Sequence, residues 1–176
     1  MIPYSVEDAV NILKRTPDVL SQMTLGLPEK WIHANEGPET WSAFDIVGHF
    51  IEGELKDWIP RAKIILSDAA NKTFEPFDRF AQEQASVGKT LAELLEEFRR
   101  LRMETIAELE ALELTEADFS REGTHPDLGT VNLQQLLSTW VVHDFGHIAQ
   151  LARVMAHQYG GQTGPWSKYL SIVKKP

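Results

Sequence analysis

The chain has 176 residues with 26 acidic against 17 basic side chains, a net charge of -9, which argues against nucleic-acid binding because that affinity comes largely from Lys and Arg neutralising phosphates. Hydrophobic residues make up 43% and charged residues 24%, a balance expected of a folded globular chain, with residues 1–176 forming one domain. Cysteine is absent, which excludes disulfides, thiolate ligands and a protein thiol nucleophile, so any metal must rest on nitrogen and oxygen donors.

The first residues lack both a basic segment and an apolar segment of a secretion signal, and no stretch is long and apolar enough for a membrane span. A cytoplasmic location is expected. Ser5-Val-Glu-Asp8 has the spacing of a helix N-terminus and predicts a helix carrying Val10, Ile12, Leu13, Val19 and Leu20, interrupted at Pro17 and ended near Gly26. Ser42-Ala-Phe-Asp45 repeats the pattern and opens a second helix from Ile46 to about Leu66. Thr90-Leu-Ala-Glu93 is a fuller capping box that opens a third, Leu91 to about Leu112. A fourth runs from about Thr130 to Tyr159, where Gly160-Gly161 stops it. Strand alternation is not convincing anywhere, so the expected class is an all-α bundle. The connections 28–41, 71–89 and 113–129 are longer than a tight bundle turn needs, and such loops tend to be functional or to carry short extra helices.

The fourth helix holds the most informative pair. His143 and His147 are four apart and point the same way, one turn apart, which is half a metal site. His147 falls on the stripe of Leu133, Leu136, Trp140, Leu151 and Val154, with His143 at its edge, so buried imidazoles needing a partner are the competing reading. Asp144 and Gln150 lie near enough to fix a ring tautomer. The motif His143-Asp-Phe-Gly-His147 lacks the glutamate of a His-Glu-x-x-His metalloprotease. Glu122-Gly-Thr-His125 is the one Glu-x-x-His string, and it precedes Pro126 in a loop, which favours a mononuclear over a di-iron site. On the second helix the apolar stripe reads Phe44, Val47, Ile51, Leu55, Trp58, Ala62 and Ile65, and His49 falls well away from it, beside Asp45, Glu52 and Lys56. Solvent exposure is the favoured reading of His49; Ile46, Phe50, Gly48 and Gly53 beside it leave a cleft open as the alternative. Arg99, Arg100 and Arg102, interleaved with Glu96, Glu97 and Glu104, read as solvated charge pairs. His125 reads as a loop-fixing residue, and His33 and His157 as surface residues.

Trp41-Ser-Ala-Phe-Asp-Ile-Val-Gly-His49, then His125-Pro-Asp-Leu-Gly-Thr-Val-Asn-Leu-Gln-Gln-Leu-Leu, then His143-Asp-Phe-Gly-His147-Ile-Ala-Gln150, resemble the DinB-like superfamily in order and spacing, over nearly the whole chain. The resemblance implies a four-helix bundle of up-down-down-up topology in which His49, His143 and His147 bind a divalent metal, with zinc or nickel expected. It also implies a homodimer and a small-molecule substrate: a low-molecular-weight-thiol S-transferase or a metal-dependent hydrolase. A non-catalytic, stress-related bundle that binds a metal or a ligand is the alternative. Asp144 or Gln150 would orient a ligand imidazole, and Trp41, Phe50 and Trp140 are candidates to wall the pocket. A Ser-His-Asp hydrolase is disfavoured, since Ser138 and Thr139 precede His143 on the same helix without a turn that would expose a nucleophile.

Overall fold

Side-chain caps set the starts of the bundle helices in the computed structural model, which describes residues 2–173. Ser5 accepts from the Asp8 amide at 3.3 Å and opens α1 (Val6–Leu13). α2 (Thr16–Thr24) follows with Pro17 in its first turn, and together α1 and α2 form the first rod. A single turn, α3 (Glu29–Ile32), leads to the reciprocal Ser42–Asp45 capping box that opens α4 (Ala43–Lys56). The second rod, expected as one helix, is two. Pro60 has no N–H to give the Lys56 carbonyl, and the helix breaks at Asp57 before resuming as α5 (Trp58–Leu66). The connection to the third rod contains α6 (Ala81–Ala85), and the Thr90–Glu93 box opens α7 (Leu91–Ala111).

The expectation of no strands is corrected at one place. β1 (Glu122–His125) pairs antiparallel with β2 (Gly129–Asn132), Gly123 opposite Val131 and Thr124 opposite Thr130. The last rod, α8 (Leu133–Gly160), therefore starts after Thr130 and Val131, where Asn132 and Gln135 cap each other. The strands are too short for period-two alternation to register. Gly123 lets the hairpin sit on α5, because a Cβ there would fall 2.8 Å from the Phe74 ring and 2.9 Å from Ile65. Among the described residues no helix is long and apolar enough to cross a membrane.

Two hydrophobic clusters fill the bundle and fix its topology. One gathers Leu13 with Ile59, Ile65, Ile106, Leu109, Leu133 and Trp140. The other gathers Leu20 with Ile46, Phe50, Leu94, Phe98, Leu151 and Val154. Along the chain the first rod runs from the former to the latter, the second and third run back, and the fourth returns, giving up-down-down-up. Two successive rods pointing the same way cannot be joined by a tight turn. Residues 67–90 must travel the length of the bundle, and they do so along the second rod, where α6 packs on α4.

Between the two clusters lies a buried polar layer to which every rod contributes. The Arg102 guanidinium, 0% exposed, donates to Glu54 Oε1 from Nε at 3.0 Å and from Nη2 at 2.8 Å, and to Asp144 Oδ2 from Nη1 at 2.6 Å. Its Nη1 also donates at 3.0 Å to the Leu13 carbonyl, which Pro17, lacking an N–H, cannot satisfy. The Thr16 hydroxyl donates to Asp144 Oδ2 at 2.5 Å, and the Thr105 hydroxyl to Glu54 Oε2. Arg102 was expected to be a solvated pair partner, and this burial corrects that reading. Arg99 and Arg100 do pair at the surface, with Asp18 and Glu104.

Candidate metal centre

His49 is 6% exposed, against its expected exposure. Two physical reasons account for this. The apolar stripe of α4 centres on Ala43, Ile46, Val47 and Phe50, all 1% exposed or less, whereas Leu55 is 48% exposed, so the buried face lies nearer His49 than the wheel placed it. The connection running along the bundle then covers what remains. α6 lies so close that a Cβ on Gly48 would fall 2.7 Å from Ser86 Oγ and 3.0 Å from Gln82 Cβ, and the Phe77 ring meets His49 edge-on at 5.6 Å. His49 is thus buried beneath the connection rather than exposed.

The burial directs His49 at α8. Its Nε2 lies 3.1 Å from His143 Nε2, and one nitrogen from each of His49, His143 and His147 lies within 4.8 Å of the others. Two nitrogens each about 2.0–2.1 Å from a tetrahedral ion are about 3.3 Å apart, so the first pair is already at ligation spacing. The His147 Nδ1–H donates to Gln150 Oε1 at 2.7 Å, which leaves Nε2 as the lone-pair atom. His143 Nδ1 is 3.7 Å from Asp144 Oδ1, beyond hydrogen-bond reach, and both it and His49 Nδ1 are buried without a partner. Imidazoles crowded edge to edge, with few acceptors between them, fit a shared cation better than they fit one another.

Burial, followed by the neighbouring imidazoles and Arg79, holds His49 down to about 3. Burial and His143 outweigh the Gln150 bond and hold His147 at about 4. Both rings are thus neutral near pH 7, the state a metal ligand requires. For Asp144, burial pushes the carboxyl up, but Arg102 and the hydrogen bonds around it prevail and hold it below the usual carboxylate range. Glu54 moves the other way, raised by burial against Arg102. Asp144 is therefore an anion pinned behind His143 rather than a free base.

An aromatic collar surrounds the rings. Trp41 lies 4.6 Å from His49 and 5.8 Å from His147 between ring centroids, and Phe50 lies 5.7 Å and 5.6 Å from His143 and His147. Trp140, a candidate wall residue, instead stacks on Trp58 at 5.6 Å, and Trp58 is the one that meets His143, at 5.0 Å. Of the three rings, His147 also lines a cavity of about 220 Å³, with Gln150, Trp41, Arg79, Phe80 and Arg153 among its other walls.

A model of the DinB superfamily matches residues 12–151. The chain belongs to the DinB superfamily. A similar solved structure is YfiT from Bacillus subtilis, described as a probable metal-dependent hydrolase with an unusual four-helix bundle topology; it is 18% identical, with a TM-score of 0.70, covering 91% of this chain and 94% of that one. Comparison with curated proteins finds no match. At that identity the likeness to YfiT bears on the fold.

Within this DinB fold the histidines outside the cluster sit where the sequence suggested. His125 Nδ1 accepts from the Asp127 and Leu128 amides at 3.1 and 3.2 Å and fixes its turn, while His33 and His157 are exposed. Sequence reasoning missed Phe77, Arg79 and Phe80, which reach the site from the connection 67–90, and Gln82, which packs on Gly48. A usable signal was Gly48: a glycine inside a capped helix marks close approach by another element.

Proposed function

We propose that His49, His143 and His147 hold one divalent cation, zinc or nickel, and that the protein is a small-molecule enzyme, a low-molecular-weight-thiol S-transferase or a hydrolase. The observation that carries this is the three-ring convergence beside a cavity that His147 lines. A closed structural site would fill its fourth position with a protein ligand. When bound, such a cation lowers the pKa of a ligated water or thiol toward neutrality, making it a nucleophile.

The chain's own residues supply the rest. Gln150 fixes the His147 tautomer, and the low proton affinity of His49 and His147 keeps both rings available. Trp41 and Phe50 shield the rings from water, and the absence of Cys means a thiol would come from outside. Asp144, committed to Arg102 and Thr16, serves position and charge rather than proton transfer. The substrate is a small molecule in this reading, and the acidic balance gives nucleic acid no foothold.

Cobalt-loaded protein tests it. Addition of 2-mercaptoethanol or 3-mercaptopropionate is expected to raise a thiolate-to-cobalt absorption band in the near ultraviolet. A loaded protein whose spectrum ignores both thiols would favour the non-catalytic, metal- or ligand-binding bundle.

A further inference from the structure

The wall of the 220 Å³ cavity carries four charged side chains: Glu36, Glu39, Arg79 and Arg153. Two of them cancel. Arg153 grips Glu36 at two points, Nε to Oε1 at 2.9 Å and Nη2 to Oε2 at 2.9 Å, so neither is free to recognise a ligand. Glu39 is shared with a neighbouring cavity whose wall also carries Asp45 and Glu83, so it belongs to an acidic group beside the first cavity. Arg79 lines the first cavity, with His147 and Gln150, and does not line its neighbour. Among the described residues it makes no salt bridge and no side-chain hydrogen bond, although the surface arginines Arg99, Arg100 and Arg121 all do. Its charge also reaches the cluster, adding to burial and the imidazoles in keeping His49 and His147 neutral.

An unpaired guanidinium at the mouth of a pocket presents a planar fork of donors matched to a carboxylate. We infer that Arg79 anchors a carboxylate, or an anion of like shape, on the substrate, so that the molecule entering the cavity is a small anion spanning from Arg79 to the His147 side of the three-histidine cluster. This rests on the open-site reading above. The wall around it selects against other ligands: the indole of Trp41 and the ring of Phe80 accept the apolar middle of such a molecule, and the carboxylates of Glu39, Asp45 and Glu83 alongside turn away a polyanion.

The test compares two thiols of similar size on cobalt-loaded protein, 3-mercaptopropionate and neutral 2-mercaptoethanol, reading each dissociation constant from the cobalt absorption at fixed ionic strength. The unaltered protein is expected to bind the anionic thiol about tenfold more tightly, and Arg79→Ala to erase that preference while binding the neutral thiol as before. Arg79→Lys is expected to restore part of it, since the charge returns without the fork. Arg79 is exposed, so its loss leaves folding intact. Binding of both thiols with no preference, or a preference that survives Arg79→Ala, overturns the assignment of Arg79 and leaves the thiol reading standing. Silence toward both thiols overturns the thiol reading and the assignment with it.

Discussion

His49→Leu protein, purified without a histidine tag and dialysed against a trace of zinc, is expected to carry almost no divalent ion, where the unaltered protein carries about one per chain. The substitution isolates ligation from folding. The ring is 6% exposed between Trp41 and Phe77, its Nδ1 has no hydrogen-bond partner, and its one polar contact is from Nε2 to His143 Nε2 within the cluster itself, so an apolar side chain of similar size gives up that contact alone and fills the space. The circular dichroism melt should hardly move in the absence of metal. Two imidazoles on one helix turn remain, and they are too few to retain an ion against dialysis. Gln150→Ala is the graded counterpart. It keeps all three rings but frees the His147 tautomer, and a chelator competition should show affinity down about 10- to 100-fold. Full metal content in His49→Leu would mean that the ion sits elsewhere.

Arg102→Met is expected to cost about 3–5 kcal/mol of unfolding free energy, measured by urea titration in the presence of a chelator so that metal binding does not contribute. Arg102, Glu54 and Asp144 are all 2% exposed or less. Removing the one cation strands two carboxylates in the core, with only the hydroxyls of Thr16 and Thr105 to meet them. The layer need not be a net source of stability, because desolvating three charges offsets most of their attraction. Glu54→Leu, Arg102→Met and Asp144→Leu together should therefore recover most of what the single change loses. A loss below about 1 kcal/mol for Arg102→Met would show that the carboxylates escape to water or take up protons without penalty. The layer also bears on function, since it holds Asp144 directly behind His143, 3.7 Å from its Nδ1.

Much of this molecule could be read in its sequence because local chemistry and global fold agree at the helix ends. Ser5, Ser42 and Thr90 cap where their spacing said they would, and the His143–His147 pair needs only one helix to be aligned. The two misread side chains, His49 and Arg102, both take their surroundings from elsewhere in the chain. His49 looked exposed because its cover, Phe77 and α6, arrives from the connection that the parallel second and third rods force along the bundle; family resemblance, not the wheel, marked it as part of the site. Arg102 looked solvated because Arg99, Arg100 and Glu104 around it are. Its own position, four residues after Phe98 and three before Thr105, is on the buried stripe. A lone arginine on that stripe implies buried acids facing it, but only the packed bundle names them as Glu54 and Asp144. The hairpin at 122–132 was hidden by its brevity, and the break at Asp57 lay open to view in Pro60.

X-ray absorption fine structure at the edge of the bound zinc or nickel addresses the three-histidine centre most directly. The expected spectrum shows three imidazole nitrogens at about 2.0–2.1 Å, with their outer-ring scattering, and at least one oxygen ligand that exchanges for sulfur when a thiol is added. A first shell of water and carboxylate oxygens, without imidazole scattering, would contradict it.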